Sequence, residues 1–320
     1  MTTSAELPLR TVADRSASPQ PGTPEELPAV SVPPLASGMG DPSADCIADS
    51  AGGLTFDLPD AGPPGAPDTW DAALLLRRRS GDTAAVEEVR LPLVHAGDGR
   101  LRAVLPSTVT LPEGRWDVCT AMGGSPEGER LAPGLLDLRS LVDRRPDVDR
   151  SSVAVRIPYA TKHGNLSVRS WLRAPHAEAG EIRLSDGTMT VQGRLYGAQA
   201  GPDATVEARC RRDPSQALTM PVSVEGAARS GGADRHFAFT LSYKELAENW
   251  QGVREPWDLW LRPAAGAETA RIARILDDVP DRKHIFSYPG QALSTPYGPA
   301  EVGPYYTKDN DLAVRIDPAG

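Results

Sequence analysis

The chain has 320 residues, a net charge of −9, three cysteines and 31 prolines. That length suits two domains better than one, and the acidic balance gives no electrostatic case for nucleic acid or an anionic membrane surface as partner. No apolar run approaches the about 18 residues of a membrane span, no basic segment followed by an apolar one reads as a secretory signal, and Cys46, Cys119 and Cys210 form no C-x-x-C pair, which fits reduced thiols in a cytoplasmic protein better than a disulfide framework or a zinc site.

Residues 1–47 read as a disordered tail. Eight prolines fall before residue 45 and no Phe, Trp or Tyr occurs in the first fifty residues, so the segment cannot bury enough apolar surface to offset its ordering entropy. From Phe56 onward, short apolar or alternating runs are separated by Gly, Pro, Asp and Asn about every ten residues, the pattern of a sandwich or barrel. The spacing predicts strands over 54–58, 70–77, 86–94, 101–105, 115–121, 135–138, 153–158 and 166–171. A linker is expected over 174–186. A second series of strands follows over 188–196, 204–210, 218–224, 236–241, 257–262, 271–275, 283–288 and 312–316. One short helix is expected near 244–250.

The two series repeat one another. Residues 158–169, P-Y-A-T-K-H-G-N-L-S-V-R, and 304–315, P-Y-Y-T-K-D-N-D-L-A-V-R, agree at seven of twelve positions at an offset of 146. Upstream, R-W-D-V at Trp116 returns as P-W-D-L at Trp257, at an offset of 141. Matched landmarks in one order point to tandem duplication of a β-sandwich over 48–173 and 187–318. In each copy the tryptophan shares a strand face with apolar residues, Val118 in one and Leu259 and Leu261 in the other, and reads as a plug between sheets. The triplets His163-Gly164-Asn165 and Asp309-Asn310-Asp311 occupy the same hairpin turn, where tolerance of positive φ is needed.

Candidate chemistry is sparse. Asp309-x-Asp311 and Asp147-x-Asp149 have the carboxylate spacing of a divalent-metal site in nucleotide-sugar transferases, although short matches arise often by chance; Asp309 and Asp311 are weak metal candidates. The five histidines form no motif, and no G-x-S-x-G, G-x-G-x-x-G or phosphate-loop pattern occurs, so no catalytic residue and no cofactor is assigned. Arg79 and Arg212, at corresponding strand ends, could face a phosphate or acidic sugar or simply pair at a sheet surface. Trp260, Tyr306, Trp171 and Trp250 are expected to be exposed, as platforms for sugar rings or protein partners, or to lie under a neighbouring domain.

At these residues the sequence resembles a known family. The pattern Gly114, Trp116, Asp117, Val118, Arg130, Leu131, Tyr159, Thr161, Gly164, Asn165, Leu166, Val168 and Arg169, echoed by Trp257, Asp258, Leu259, Arg271, Ile272, Tyr305, Thr307, Leu312, Val314 and Arg315, resembles the β-sandwich accessory modules of actinobacterial family 2 glycosyltransferases. Those modules are similar to the immunoglobulin-like C-terminal domains of wall teichoic acid glycosyltransferases. The resemblance implies a setting in cell-envelope polysaccharide or teichoic acid assembly, at the inner face of the membrane through a partner. It implies no catalytic residue, and the βαβ pattern of a nucleotide-binding catalytic domain is absent from the sequence.

The expectation is therefore an all-β protein of two tandem antiparallel immunoglobulin-like sandwiches, non-catalytic, that binds glycan or scaffolds a glycosyltransferase. A stand-alone transferase using the D-x-D carboxylates is the alternative from a different class. A structural homo-oligomer pairing through edge strands is the third.

Overall fold

The computed structural model describes residues 42–60, 72–79, 87–121, 128–147, 150–224 and 235–319. The described chain is almost entirely β. The first half contains β1 (Ser43–Ala48), β2 (Leu54–Pro59), β3 (Ala73–Arg78), β4 (Glu88–Pro92), β5 (Val94–Gly97), β6 (Arg100–Leu105), β7 (Gly114–Ala121), β8 (Glu129–Arg130), β9 (Ala132–Asp137), β10 (Val153–Ala160) and β11 (Leu166–Arg173). The second contains β12 (His176–Ser185), β13 (Thr188–Tyr196), β14 (Thr205–Cys210), β15 (Ala217–Pro221), β16 (His236–Ser242), α1 (Tyr243–Leu246), β17 (Glu255–Arg262), β18 (Ala270–Ala273), β19 (Gln291–Thr295), β20 (Gly298–Tyr306) and β21 (Leu312–Pro318).

Both halves follow one pairing plan. In the first, β1 pairs antiparallel with β2 and parallel with β9, and β2 pairs with β6. In the second, β12 pairs antiparallel with β13 and parallel with β18, and β13 pairs with β16. The other sheet of the first half runs β4-β3-β7-β11-β10, and its counterpart runs β15-β14-β17-β21-β20. Cys119 of β7 pairs Arg130 of β8, and the equivalent Trp260 of β17 pairs Arg271 of β18. In the second half β18 also pairs β12, so its two sheets are continuous, whereas in the first half β8 and β9 are separate strands.

Period-2 alternation drives each strand inward on one side. In β17, Trp257, Leu259 and Leu261 are buried, and in β7 so are Trp116, Val118 and Thr120. There are two large apolar cores, one around Phe56, Trp116 and Trp171 of the first half that also takes in Tyr196, Ala273, Ile275 and Leu276 of the second, the other around Phe237, Trp250 and Trp257. The three cysteines are buried and free.

Four expectations need correction. Residues 43–47, assigned to the tail, begin β1, because Ala44, Cys46 and Ala48 alternate into the core beside β2. Residues 1–41 lie outside the described residues. The segment 174–186, expected as a linker, is mostly β12: its Ala, Glu and Gly residues have poor strand propensity, but pairing with both β13 and β18 overrides it. No strand forms over 283–288; Phe286 and Tyr288 instead lean on Tyr306, with ring centroids 6.1 and 6.2 Å away. The strand equivalent to β10 is β20, hidden in the sequence by Gly298, Pro299, Gly303 and Pro304, which read as breakers. Lastly, the helix at 244–250 is the single turn α1, starting at Ser242, whose hydroxyl accepts from the Glu245 amide.

Candidate functional site

The repeated tryptophan–aspartate motif builds an ion-pair node in each half. In the first, Asp117 accepts from Arg79 Nε (2.6 Å) and from Ser167 Oγ (3.1 Å), and it also pairs with Arg130. In the second, Asp258 accepts from Arg211 Nε (2.7 Å) and from Arg271 Nη2 (2.5 Å). Burial works against the charge of Asp258, but the two guanidiniums overcome it and hold its carboxyl below the usual range.

These nodes correct the arginine assignment. The Arg79 amide donates to Arg115 O, and the equivalent amide, donating to Pro256 O, is that of Arg211. Arg211, not Arg212, is therefore the partner of Arg79. The signal was in the register: Arg78 pairs Trp116 and Cys210 pairs Trp257, so the residue after each is the equivalent one. Arg212 is exposed, and its Nη1 reaches Arg254 O at 3.5 Å.

Three of the four aromatics are not exposed, and one of these, Trp171, takes the alternative reading and lies under the neighbouring half. Trp171 and Tyr306 have no exposed surface and Trp250 has 1 %. Trp250 is held by its indole N–H donating to Val253 O (2.6 Å). Trp260 is half-buried, with the guanidiniums of Arg209 and Arg271 5.0 and 5.1 Å from its ring. Polar and apolar partners consume these rings, which composition alone could not reveal.

Trp171 belongs to the contact between the halves. On β11, alternation places Arg169, Trp171 and Arg173 on one face. The turn between β20 and β21 docks there. Arg169 Nη2 donates to Asp309 Oδ1 (2.7 Å), the Trp171 indole to Asp309 O (3.0 Å), Arg173 Nη1 to Asp311 Oδ1 (2.8 Å) and Arg115 Nη2 to Lys308 O (2.7 Å). Arg169 also lies 4.7 Å from the Trp171 ring. The two weak metal candidates, Asp309 and Asp311, are thus turned toward arginines. No cluster of three or more His, Cys, Asp or Glu side chains suited to a metal occurs among the described residues. Asp149 lies outside the described residues.

On the equivalent face of the second half no turn docks among the described residues. Arg254, Pro256, Tyr305 and Arg315 stand where the first half has Glu113, Arg115, Tyr159 and Arg169, at the offsets of the internal repeat. All four line a cleft of about 600 Å³, which Arg211, Lys283 and Tyr288 complete along with the outer side of the 307–311 turn. Five cationic side chains (Arg211, Arg254, Lys283, Lys308 and Arg315) and two carboxylates (Asp309 and Asp311) border it. The carboxylates are already paired to Arg169 and Arg173. Arg315 lies over the Tyr305 ring at 5.7 Å and pairs with Asp317 at 3.0 Å. Burial, the largest influence on it, raises the Tyr305 phenol above its ordinary pKa, so the hydroxyl stays a neutral donor at physiological pH. The cleft residues Arg254, Lys283, Tyr305 and Arg315 were not singled out as ligand contacts from sequence; the repeat itself marks three of them once the first half's docking face is known.

No protein family matches the sequence, and no curated protein matches it. Among solved structures, it is similar to S. aureus TarS, a wall teichoic acid glycosyltransferase: residues 217–571 of that protein match at 13 % identity over 46 % of this chain and 40 % of that one, with a TM-score of 0.34. A longer TarS structure matches at 12 % identity over 55 % of this chain and 29 % of that one, again with a TM-score of 0.34. The chain therefore spans less than half the length of the structures it matches. No helix among the described residues is long and apolar enough to cross a membrane.

Proposed function

We propose that this protein is a non-catalytic binding module, two β-sandwiches arisen by duplication, whose second copy holds an acidic glycan polymer of the cell envelope in the cleft beside Tyr305. One observation carries the reading. The face that in the first half receives the turn carrying Asp309 receives no such turn in the second half among the described residues, and is lined by Arg211, Arg254 and Arg315, whose ion pairs to Asp258 and Asp317 come from the same half. A cleft of this size falls in the range of ligand sites, and it offers what an anionic sugar polymer needs: guanidiniums for negative groups and the tyrosine rings as stacking surfaces. The shared pairing plan supports the duplication. The envelope setting, and a partner glycosyltransferase for which the module would serve as scaffold, extend the sequence resemblance. The transferase alternative loses its motivation, since Asp309 and Asp311 are engaged by arginines.

Isothermal titration of the full chain against anionic and neutral envelope polysaccharides tests this. Saturable binding of an anionic polymer is expected, weakened about tenfold by Tyr305→Ala or Arg315→Gln. Affinity for none of the polymers, or unchanged affinity in both variants, would overturn it.

A further inference from the structure

A second, smaller pocket lies in the first half, away from the internal repeat's docking face. Its volume is about 320 Å³, and it is bordered by Arg144, Arg150 and Arg156, by the hydroxyl-bearing Ser107, Thr110, Ser151 and Ser152, and, among the described residues, by no Asp or Glu. Among the described residues, none of the three arginines forms an ion pair with a carboxylate.

The arginines are differently held. Arg156 is 3 % exposed and fixed from behind: its Nη1 donates to Gly52 O (2.9 Å) and Pro106 O (3.1 Å), and its Nη2 to Val109 O. Arg144 gives its Nη2 to Ala154 O (3.0 Å), while its Nε and Nη1 are buried with no hydrogen-bond partner. Arg150 is exposed at the rim. Burial pushes the pKa values of Arg144 and Arg156 down; Asp49 counters it at each, and neighbouring arginines add to it. Yet the Oδ1 of Asp49 already accepts from the Ala51 and Gly53 amides (2.7 and 2.9 Å) in the turn between β1 and β2. The carboxylate that counters burial at both guanidiniums thus forms no ion pair with either, and its Oδ1 is already engaged by backbone amides. A buried charged donor without a partner is costly, and such an orphan in a hydroxyl-lined pocket calls for an ion or ligand. In the second half the buried Val302 stands at the position of Arg156.

We infer that this pocket is a binding site for a phosphate group, gripped by Arg144 and Arg150 against the fixed cation Arg156 and capped by the serine and threonine hydroxyls. The geometry favours a tetrahedral oxyanion, which can take several donors converging from different sides, whereas one flat carboxylate is best matched by a single guanidinium fork. The phosphate can belong to a free metabolite, as a monoester, or to a phosphodiester chain.

Titration of the full chain with inorganic phosphate, glycerol 3-phosphate and a glycerophosphodiester, followed by calorimetry and ³¹P NMR, tests the site and separates the sources. Saturable binding is expected, tightest for the monoester if the ligand is a metabolite and for the diester if it is a polymer. Arg144→Gln and Arg150→Gln should each weaken binding about tenfold, as loss of a charge-assisted hydrogen bond does. Arg315→Gln, in the other cleft, should leave it unchanged, so failure here is distinguishable from failure of the polymer-binding proposal. Arg150 is exposed, so its variant retains the fold and decides the matter even if Arg144→Gln does not fold. No saturable binding of any of the three probes, or wild-type affinity in a folded Arg150→Gln variant, would overturn the inference.

Discussion

The hairpin turns at 161–165 and 307–311 are built alike and used differently. In each, the backbone amide of the threonine donates to the carbonyl four residues on, from Thr161 to Asn165 (2.8 Å) and from Thr307 to Asp311 (2.9 Å). In each, the threonine hydroxyl accepts from that fourth residue's amide, at 3.1 and 3.2 Å. The left-handed position is Gly164 in one and Asn310 in the other, with φ of 76° and 60°. Gly164 is exposed. Asn310 is fully buried, its Oδ1 accepting from the Arg282 amide and its Nδ2 donating to Val279 O, both at 2.9 Å. Glycine satisfies a turn facing solvent, where only φ matters. Asparagine tolerates the same φ and adds a side chain that bonds its surroundings. Turns of one backbone plan can therefore differ in role by differing at three residues, with the acidic pair of the second turn matching the arginines of the first half.

The largest expected effect tests the docking face. Trp171→Ala removes a ring with no exposed surface and the indole bond to Asp309 O. It should cost about 3–5 kcal/mol of unfolding free energy, read by urea denaturation. The equivalent residue of the second half, Asp317, is partly exposed and pairs with Arg315; Asp317→Ala should cost less than about 1 kcal/mol. Similar losses from the two variants would break the contrast between a filled and an open face.

Much of this arrangement was legible in the sequence, and the reason is periodicity. The repeat at Trp116 and Trp257 and the alternation around each gave the sandwich class, the core plugs and most strands. What escaped were elements whose stability is not local. Strand β12 opens on Ala, Glu and Gly residues of poor strand propensity, and two neighbours pair with it. Strand β20 carries two prolines, and Pro304 is accommodated opposite Val314 just as Pro158 is opposite Val168. The site was less legible still. Exposure of an aromatic depends on what packs over it: the alternative of cover by a neighbouring domain fits Trp171, whereas Trp250 and Tyr306 are buried in the second half's own core. The cleft at Arg315 is defined by the absence of a docked turn, which no motif records.

A middle-sized effect concerns the two ion-pair nodes. Asp258 has a folded-state pKa below the about 3.9 of an unfolded aspartate. A depressed carboxyl contributes stability above its unfolded pKa and loses it as pH falls through that value toward the folded one. Asp258→Asn should therefore cost about 1–2 kcal/mol at pH 7, and the difference from wild type should shrink below about pH 4. Thermal unfolding between pH 2.5 and 7 measures it. A penalty that stays constant across that range would mean that packing, not charge, accounts for the node.

The smallest effect should come from His163→Asp, which gives the first turn the residue that begins the acidic triplet of the second. His163 is exposed and makes no hydrogen bond or ion pair among the described residues. The turn is held by Thr161 and Gly164, whose bonds the substitution leaves alone. Stability should change by less than about 0.5 kcal/mol, because a carboxylate is worth something in this turn only when an arginine face receives it. A loss well beyond that would show that the first turn also has a docking partner, and the asymmetry between the two hairpins would then lie in which partner each one meets.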